Sequence, residues 1–436
     1  MMTNMKKIKH VKLGKINNLY INKCNKFKSI TISVVYKQKY SYEKISANNI
    51  LAKYLGNCSF NYPSIELLNK KVESLYGGII GIKINYANEL LAFDVYASII
   101  NPNFFNDQFL FEEAIKLLHE IVYDPYIIDK TFNEEIFDIC KENCLIDAKS
   151  NEEYDFPYIV NEIKKKLSND KKSALCAFKT GDYNVIENFD NKNIYKYYKD
   201  IINSPFDIYV SGDVKYKNVI SIIKKYYLHK KVKNNKLDVF SLILNKEFEP
   251  IIINKDVKQA KLVILYRIPI LFNDERNYAF RLLKIILSGN LSSKFNKVIR
   301  EEKGLCYSIS SSYSAYYGYF LITTAVSNDN VLKVIDEVKN QINLAKAGNI
   351  TLDEINMAKK MIINDLKGMD DTLFETLNMI KIYHNFNKEF VLDEICNKYL
   401  SISKDDIINV CKELTYLTYG VIAKEMLWRK HFIKKY

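Results

Sequence analysis

The 436-residue chain contains few residues of several types, with 13 glycines, 7 prolines, 5 histidines and 1 tryptophan. Proline and glycine are too rare for a fibrous or linker-like protein, and 48% hydrophobic residues is too much for a disordered one. The longest apolar run, 261–272, is interrupted by Arg267 and is too short to span a bilayer. Residues 1–20 are Lys-rich but lack the apolar segment of a secretory signal. We therefore expect a soluble, cytoplasmic protein with at least two domains.

The charge balance is strongly basic. The chain has 64 Lys and Arg against 51 Asp and Glu, which gives a net charge of +13. Such an excess is one signature of nucleic-acid or membrane-surface binding. Here lysines are mixed with acidic residues throughout, and arginine, the residue that reads guanine bidentately, is scarce. We therefore expect no nucleic acid and no membrane as partners, and the densest basic run, 229–233, is interpreted as a solvated connector. A basic cavity suited to acidic substrates is the alternative explanation of the charge.

The eight cysteines include no Cys-x-x-Cys pair, the spacing typical of zinc ribbons and thioredoxin-like sites. Cys140 and Cys144 are one helical turn apart, but no second pair completes a tetrahedral metal site. Free thiols in a reducing compartment are therefore expected. Cys306 has no neighbouring histidine to act as its base and is interpreted as a core thiol. His119 is likewise expected to pack on an amphipathic helix.

Hydrophobic periodicity predicts mixed α/β structure in both halves of the chain. In the first half, a β-branched strand at 28–38 precedes a helix that ends at Gly56, and two strands follow over 79–100. A capping-box sequence at 351–354 begins a later helix. The second half repeats the order of the first, with elements at 250–254, 260–268, 275–288, 291–302, 305–313 and 318–326.

Two short sequence matches accompany this repeated order. Residues 51–57 resemble 284–290, and residues 72–78 resemble 298–304. We therefore expect an α+β protein of two homologous α/β-sandwich domains, with mostly antiparallel sheets flanked by helices. The predicted N-terminal domain, Lys-rich linker and C-terminal domain are 1–228, 229–247 and 248–436.

One segment is more specific than the rest. Arg300-Glu-Glu-Lys-Gly-Leu-Cys-Tyr307-Ser-Ile leaves a predicted helix and enters a strand, and Gly318-Tyr-Phe320 lies in the next strand. This segment resembles the C-terminal signature of the insulinase family of metallopeptidases, in which an Arg and a Tyr are seven residues apart. The family includes pitrilysin and the mitochondrial processing peptidase. The resemblance spans about residues 28–424 and implies the family's duplicated fold.

The chain departs from active members of this family at the metal site. Active members carry His-x-x-Glu-His on the first helix, where the two histidines bind Zn²⁺ and the glutamate activates water. When the chain is aligned on Gly56, the glycine that ends this helix, the His, Glu and His positions of the motif are Ala47, Ile50 and Leu51. No zinc is therefore expected on this chain, and Glu134 and Glu135, the candidate downstream carboxylates, are interpreted as a solvated face. The five histidines, none within 46 residues of another, are His10, His119, His229, His384 and His431.

The resemblance implies a role for the Arg/Tyr pair. In the family these side chains lie opposite the zinc, bind the substrate carbonyl oxygen and stabilise the developing oxyanion. Arg300 and Tyr307 are therefore expected to bind substrate, while no residue of this chain alone is catalytic. The implied partner is a zinc-bearing paralogue in a heterodimer that cleaves a peptide or protein. The resemblance is to a zinc-less bacterial branch that is associated with modification of elongation factor P.

Two alternatives stand beside this interpretation. Arg300 could pair with neighbouring Glu301 or Glu302 while Tyr307 packs in the sheet, which would leave neither side chain free for a substrate. The chain could also be a catalytically dead assembly subunit with no role in proteolysis, like the core proteins of the respiratory bc1 complex.

Overall fold

The computed structural model describes residues 8–104, 107, 109–228, 248–369 and 371–424. Within these ranges the chain forms two compact units, each built mainly from one half of the sequence. Each unit is a β-sheet with packed helices, which confirms the predicted α+β class. None of the helices in these ranges is both long enough and apolar enough to cross a membrane.

The first unit is organised around a six-stranded sheet. Its strands, with a separate short hairpin of β6 and β7, are β1 (Lys9–Leu13), β2 (Asn17–Lys23), β3 (Ser29–Lys39), β4 (Ile79–Ala87), β5 (Leu90–Ile100), β6 (Ile127–Ile128), β7 (Thr131–Phe132) and β8 (Phe206–Gly212). The sheet order is β1-β2-β8-β3-β5-β4, antiparallel except for the parallel pair β2–β8. Because side chains alternate along a strand, Ile32, Val34 and Tyr36 of β3 all enter the helix-covered core, where they are fully buried.

The second unit has a five-stranded sheet. Its strands are β9 (Ile251–Asn254), β10 (Ala260–Arg267), β11 (Cys306–Ser314), β12 (Tyr319–Val326) and β13 (Thr415–Ala423). Their order is β11-β12-β10-β13-β9, with only β13–β9 parallel. This order matches β4-β5-β3-β8-β2 of the first sheet strand by strand, so the duplicated architecture expected from the sequence is present. The strands β4 and β11 are equivalent edges.

Most helices of the two units are α-helices, which are numbered along the chain. They are α1 (Tyr42–Leu55), α2 (Ile65–Glu73), α3 (Leu110–Tyr123), α4 (Glu134–Glu153), α5 (Asp155–Leu167), α6 (Tyr183–Glu187), α7 (Tyr195–Ile202), α8 (Tyr216–Tyr227), α9 (Asn277–Ser288), α10 (Val331–Lys346), α11 (Leu352–Met369), α12 (Leu373–Asn385), α13 (Leu392–Ser401) and α14 (Lys404–Lys412). A π-helix, Phe295–Glu302, lies between α9 and β11. The predicted capping box is confirmed, because the Thr351 hydroxyl accepts from the Glu354 backbone N–H at 3.2 Å and the Glu354 carboxylate accepts from the Thr351 N–H at 2.8 Å.

Three sequence predictions need correction. The helix expected from Ala47 begins five residues earlier, because the Ser41 hydroxyl caps it by accepting from the Lys44 N–H at 3.1 Å. The strands β1 and β2 were not predicted, since their composition is polar and basic; β2 is held by parallel pairing with β8, and β1 by antiparallel pairing with β2. The helix expected over 291–302 is the shorter π-helix.

The helix α12 belongs by sequence to the C-terminal half, yet it packs within the first unit on β3 and β8. It covers the sheet face opposite to the main core. The Lys381 ammonium forms a buried ion pair with Asp94 at 2.6 Å, and the Ser33 hydroxyl donates to the other Asp94 oxygen at 2.5 Å. The Phe374 ring packs on Tyr96 with a centroid distance of 5.2 Å.

The helix α5 makes the reciprocal arrangement, because it belongs by sequence to the N-terminal half and packs within the second unit on β10 and β13. Gly420 of β13 leaves room for it: a Cβ atom there would lie 2.9 Å from Ile163 and 3.0 Å from Ile159. The predicted division into 1–228 and 248–436 follows chain order and does not include this exchange of helices. The predicted linker, 229–247, lies outside the described residues.

Removal of the cation from the buried Asp94–Lys381 pair is expected to destabilise the first unit. In Lys381→Met the Asp94 charge stays buried without its partner, so the free energy of unfolding should fall by about 3–5 kcal/mol in urea denaturation. The double variant Asp94→Leu/Lys381→Met removes both charges and should recover most of that loss. Lys70→Met, at an exposed ion pair with Glu66, is the control and should change little. Equal losses in the single and double variants would contradict this role of the pair.

The close approach of α5 to β13 predicts the effect of a larger side chain at Gly420. Gly420→Val must displace Ile159 or Ile163 and should cost about 1–3 kcal/mol of unfolding free energy, measured by thermal or urea denaturation. Gly368→Ala is the matched control, since a Cβ atom there meets nothing within 4 Å and lies in a helix. A Gly420→Val protein as stable as the control would show that α5 is not held against this strand.

Candidate functional site

The helix α1 carries the three positions at which the sequence resemblance places the family's zinc motif. Ala47, Ile50 and Leu51 lie on one face of α1, with exposed fractions of 0%, 0% and 1%. This face packs against β4 and β5 and forms part of the main core of the first unit. These side chains offer no nitrogen, oxygen or sulfur atom to a metal, so the residues present do not fit a zinc ion.

The carboxylates and histidines elsewhere in the described ranges form no substitute metal site. Glu134 and Glu135 are exposed in the first turn of α4. His119 stacks on Tyr123 with a centroid distance of 4.7 Å, and His10 is hydrogen-bonded through Nε2 to Asn18 at 2.8 Å. Across the described ranges, no three His, Cys, Asp or Glu side chains are grouped so that they could hold a metal ion. Two of the chain's histidines, at positions 229 and 431, lie outside those ranges.

The cysteines are free thiols, as expected from their spacing. Cys140 and Cys144 are both buried on α4, and burial raises the pKa of Cys144 to about 12. Cys306 is also buried, and burial raises the pKa of its thiol, although the Thr324 hydroxyl and the Arg300 guanidinium oppose that shift. A protonated, buried thiol is a poor nucleophile, which agrees with the interpretation of Cys306 as a core residue.

Arg300 lies on the π-helix, a rare backbone conformation that recurs at functional sites. The wide turn continues past its end, where the Lys303 N–H donates to the Val298 carbonyl at 3.0 Å, and Gly304 then reverses the chain with φ of +59°. The Arg300 side chain is half-buried. Within the described residues its guanidinium makes no hydrogen bond or ion pair, so it is not engaged by the neighbouring Glu301.

Tyr307 lies on a second backbone irregularity just beyond this turn. In the β11–β12 ladder, Cys306 pairs with Val326 and Ser308 pairs with Ala325, so Tyr307 is the extra residue of a β-bulge. Bulges re-aim side chains and recur next to active sites. The Tyr307 side chain is 77% exposed and is not packed in the sheet.

The two side chains therefore lie at either end of one short turn. The Arg300 charge acts on the Cys306 thiol, the residue before Tyr307. A guanidinium has five N–H donors in a fixed plane, and a phenol adds one O–H donor. With no competing acceptor in the described chain, both groups can donate to the carbonyl oxygens of a peptide.

A row of polar side chains on α9 was not recognised from the sequence. The offset of 233 residues between 51–57 and 284–290 places Lys284 at the position equivalent to Leu51, and Arg281 precedes it by three residues. Both are partly buried, whereas the equivalent positions of α1 are the uncharged Asn48 and Leu51. The sequence could have indicated this difference, because the match between 51–57 and 284–290 begins by pairing Leu51 with Lys284.

Comparison with known proteins identifies relatives of this arrangement. A family model described as "Peptidase M16 inactive domain" matches residues 188–362. The chain is 22% identical over 404 residues to the probable inactive metalloprotease YmfF of Bacillus subtilis, covering 91% of this chain and 93% of that protein. Two crystal structures share its fold. A conserved protein from Enterococcus faecalis has a TM-score of 0.88 at 22% identity, covering 96% of this chain and 99% of that one. A peptidase M16 inactive domain from Pseudomonas fluorescens has a TM-score of 0.78 at 14% identity, covering 96% and 98%.

The fold of this chain agrees with these similarities. The sheets are duplicated strand by strand, and the positions at which the sequence resemblance places the zinc motif are core residues. Residues 188–362 therefore match the inactive domain of peptidase family M16, the insulinase family of metallopeptidases, and the whole chain resembles that family in sequence and fold.

Proposed function

We propose that this chain is the non-catalytic subunit of an insulinase-family heterodimer. In this proposal a paralogous partner contributes His-x-x-Glu-His and its zinc, and this chain contributes Arg300 and Tyr307 to substrate binding. The substrate is a peptide or a protein in extended form. A link to modification of elongation factor P is supported by the family resemblance alone.

The observation that carries this proposal is a comparison between the two units. In the first unit the equivalent connection joins α2, an ordinary α-helix, to β4, whose register with β5 is unbroken. In the second unit the same connection has a π-helix and a β-bulge, with Arg300 on one and Tyr307 on the other. The fold therefore does not require these irregularities, and backbone conformations of this kind persist mainly where function needs them.

The chemistry suits the proposed role. When a peptide bond is attacked, its carbonyl oxygen gains negative charge, and donors placed around that oxygen stabilise the transition state. Arg300 and Tyr307 supply such donors and no nucleophile, base or metal ligand. The chain therefore needs a partner for the reaction itself, and the pair serves substrate binding and charge stabilisation.

Substitution of either residue is expected to reduce turnover without affecting assembly. In the reconstituted complex, Arg300→Ala and Tyr307→Phe should each lower kcat/KM for peptide hydrolysis by about 100-fold, the usual order for one lost oxyanion donor. Size-exclusion chromatography should show the complex intact, because both changes remove only side-chain donors.

Tyr154→Phe is the matched control, since this tyrosine is also exposed, at 66%, and immediately precedes α5, away from the turn in sequence. It should retain full activity. Unchanged turnover in both Arg300→Ala and Tyr307→Phe would remove their assigned role and favour a pure assembly subunit.

The distribution of zinc gives an independent prediction. The complex should contain about one zinc ion per heterodimer, and a chelator should abolish its hydrolysis of peptides. The isolated chain should bind no stoichiometric zinc in equilibrium dialysis followed by metal analysis, because its ligand positions are buried alanine, isoleucine and leucine. Tight, stoichiometric zinc binding by the isolated chain would contradict the proposal that the partner supplies the zinc.

A further inference from the structure

Among the described strands, β11 has one edge that pairs with no other strand. It is the last strand of its sheet and pairs only with β12 among the described strands. Natural edge strands are usually protected by lysine, proline or inward charges, and Cys306–Ser314 contains none of these. Beyond the bulge at Tyr307, pairing with β12 runs without a break from Ser308 to Ser314. A regular, uncharged edge of this kind can accept a further strand through backbone hydrogen bonds.

The helix α9 lies over this strand with a polar row facing it. Arg281, Lys284 and Ser288 are three and four residues apart, so they share one face of the helix. The Ser288 hydroxyl is hydrogen-bonded to the Ser311 hydroxyl of β11. Burial raises the pKa of Tyr313, also on β11, and the Arg281 charge opposes that shift. The row therefore runs alongside the free edge.

The two cations of this row have no carboxylate partner in the described chain. Lys284 makes no hydrogen bond or ion pair there, and Arg281 donates only to side chains that carry no charge. Burial lowers the pKa of Lys284 and the Arg281 charge adds to that effect, while Asp365 opposes it without forming an ion pair. By contrast, the buried Lys294 is paired with Glu354 at 2.9 Å. Adjacent, partly desolvated cations without a counter-charge favour an anionic ligand.

We propose that β11 and the Arg281–Lys284 row form a groove that binds an extended peptide with acidic side chains. The peptide backbone pairs with the free edge of β11, and its carboxylates form ion pairs with the two cations. Alternate residues of a strand are about 6.6 Å apart on one face, and helix side chains three apart are separated by about 5–6 Å. Acidic residues at positions i and i+2 of the peptide therefore match the row.

The groove leads directly to the proposed substrate-binding pair. The strand β11 begins at Cys306, so a peptide paired along it reaches Tyr307 and the Arg300 turn. As the substrate class of the peptidase, this inference rests on the proposed function. Binding itself needs neither the partner nor turnover, so its failure and the failure of the proposed function are separately measurable.

The test is peptide binding to the full, isolated chain. The probe is a fluorescent peptide of about ten residues with Glu at alternate positions, and the readout is fluorescence anisotropy. Lys284→Met should weaken binding about tenfold, the effect of losing one charge-assisted contact of about 1.4 kcal/mol. Lys333→Met, an exposed lysine on α10, is the control and should leave the affinity unchanged. An otherwise identical peptide with Gln in place of Glu should bind at least tenfold more weakly.

Strand pairing is tested separately from charge. Two further peptides carry N-methyl groups on alternate residues, one in each phase, so that only one of them blocks the edge that would face β11. One phase should lose binding and the other should keep it. Equal binding by both phases, equal affinity of Lys284→Met and Lys333→Met, or equal displacement of the probe by a single-stranded oligonucleotide of the same charge would each overturn the proposal.

Discussion

The burial of one face of α1 is the constraint on which the rest of the molecule's chemistry depends. Ala47, Ile50 and Leu51 pack into the core of the first unit with exposed fractions of at most 1%. A charged ligand could be introduced there only at the cost of desolvating it. The first unit therefore keeps the fold of a zinc peptidase domain as a packing scaffold. In the second unit, Arg300 and Tyr307 form no hydrogen bond or ion pair with the described residues, and our proposal assigns substrate binding to them.

Because the two units have the same strand order, equivalent helices, strands and connections can be compared directly. Equivalent helices, α1 and α9, lie beside equivalent edge strands, β4 and β11. In the first unit the equivalent helix positions are the uncharged Asn48 and Leu51, and the register of β4 with β5 is unbroken. In the second unit the helix has Arg281 and Lys284, and the connection has a π-helix and a bulge. Both departures lie along the same edge strand, β11, which is why we associate them with the same peptide substrate.

Much of this organisation could be predicted from the sequence, because it depends on local patterns. Periodicity and turn residues located most elements, the short repeat indicated two equivalent domains, and the spacing of Arg300 and Tyr307 indicated the family. What could not be predicted depends on tertiary contacts. The exchange of α5 and α12 requires knowledge of which sheet face each helix covers. The π-helix and the bulge depend on backbone geometry that no residue pattern indicates, and the lack of a carboxylate partner for Lys284 among the described residues is visible only in the folded chain.

The central claim is that this chain completes a peptidase whose zinc is supplied by another subunit. The most direct measurement is purification of the tagged chain from its own cells under mild conditions, with identification of the proteins that come with it and assay of peptide hydrolysis. We predict a roughly equimolar partner that contains His-x-x-Glu-His, with hydrolysis following the complex and not either chain alone. Recovery of the chain alone, or only with proteins that lack this motif, would contradict the claim.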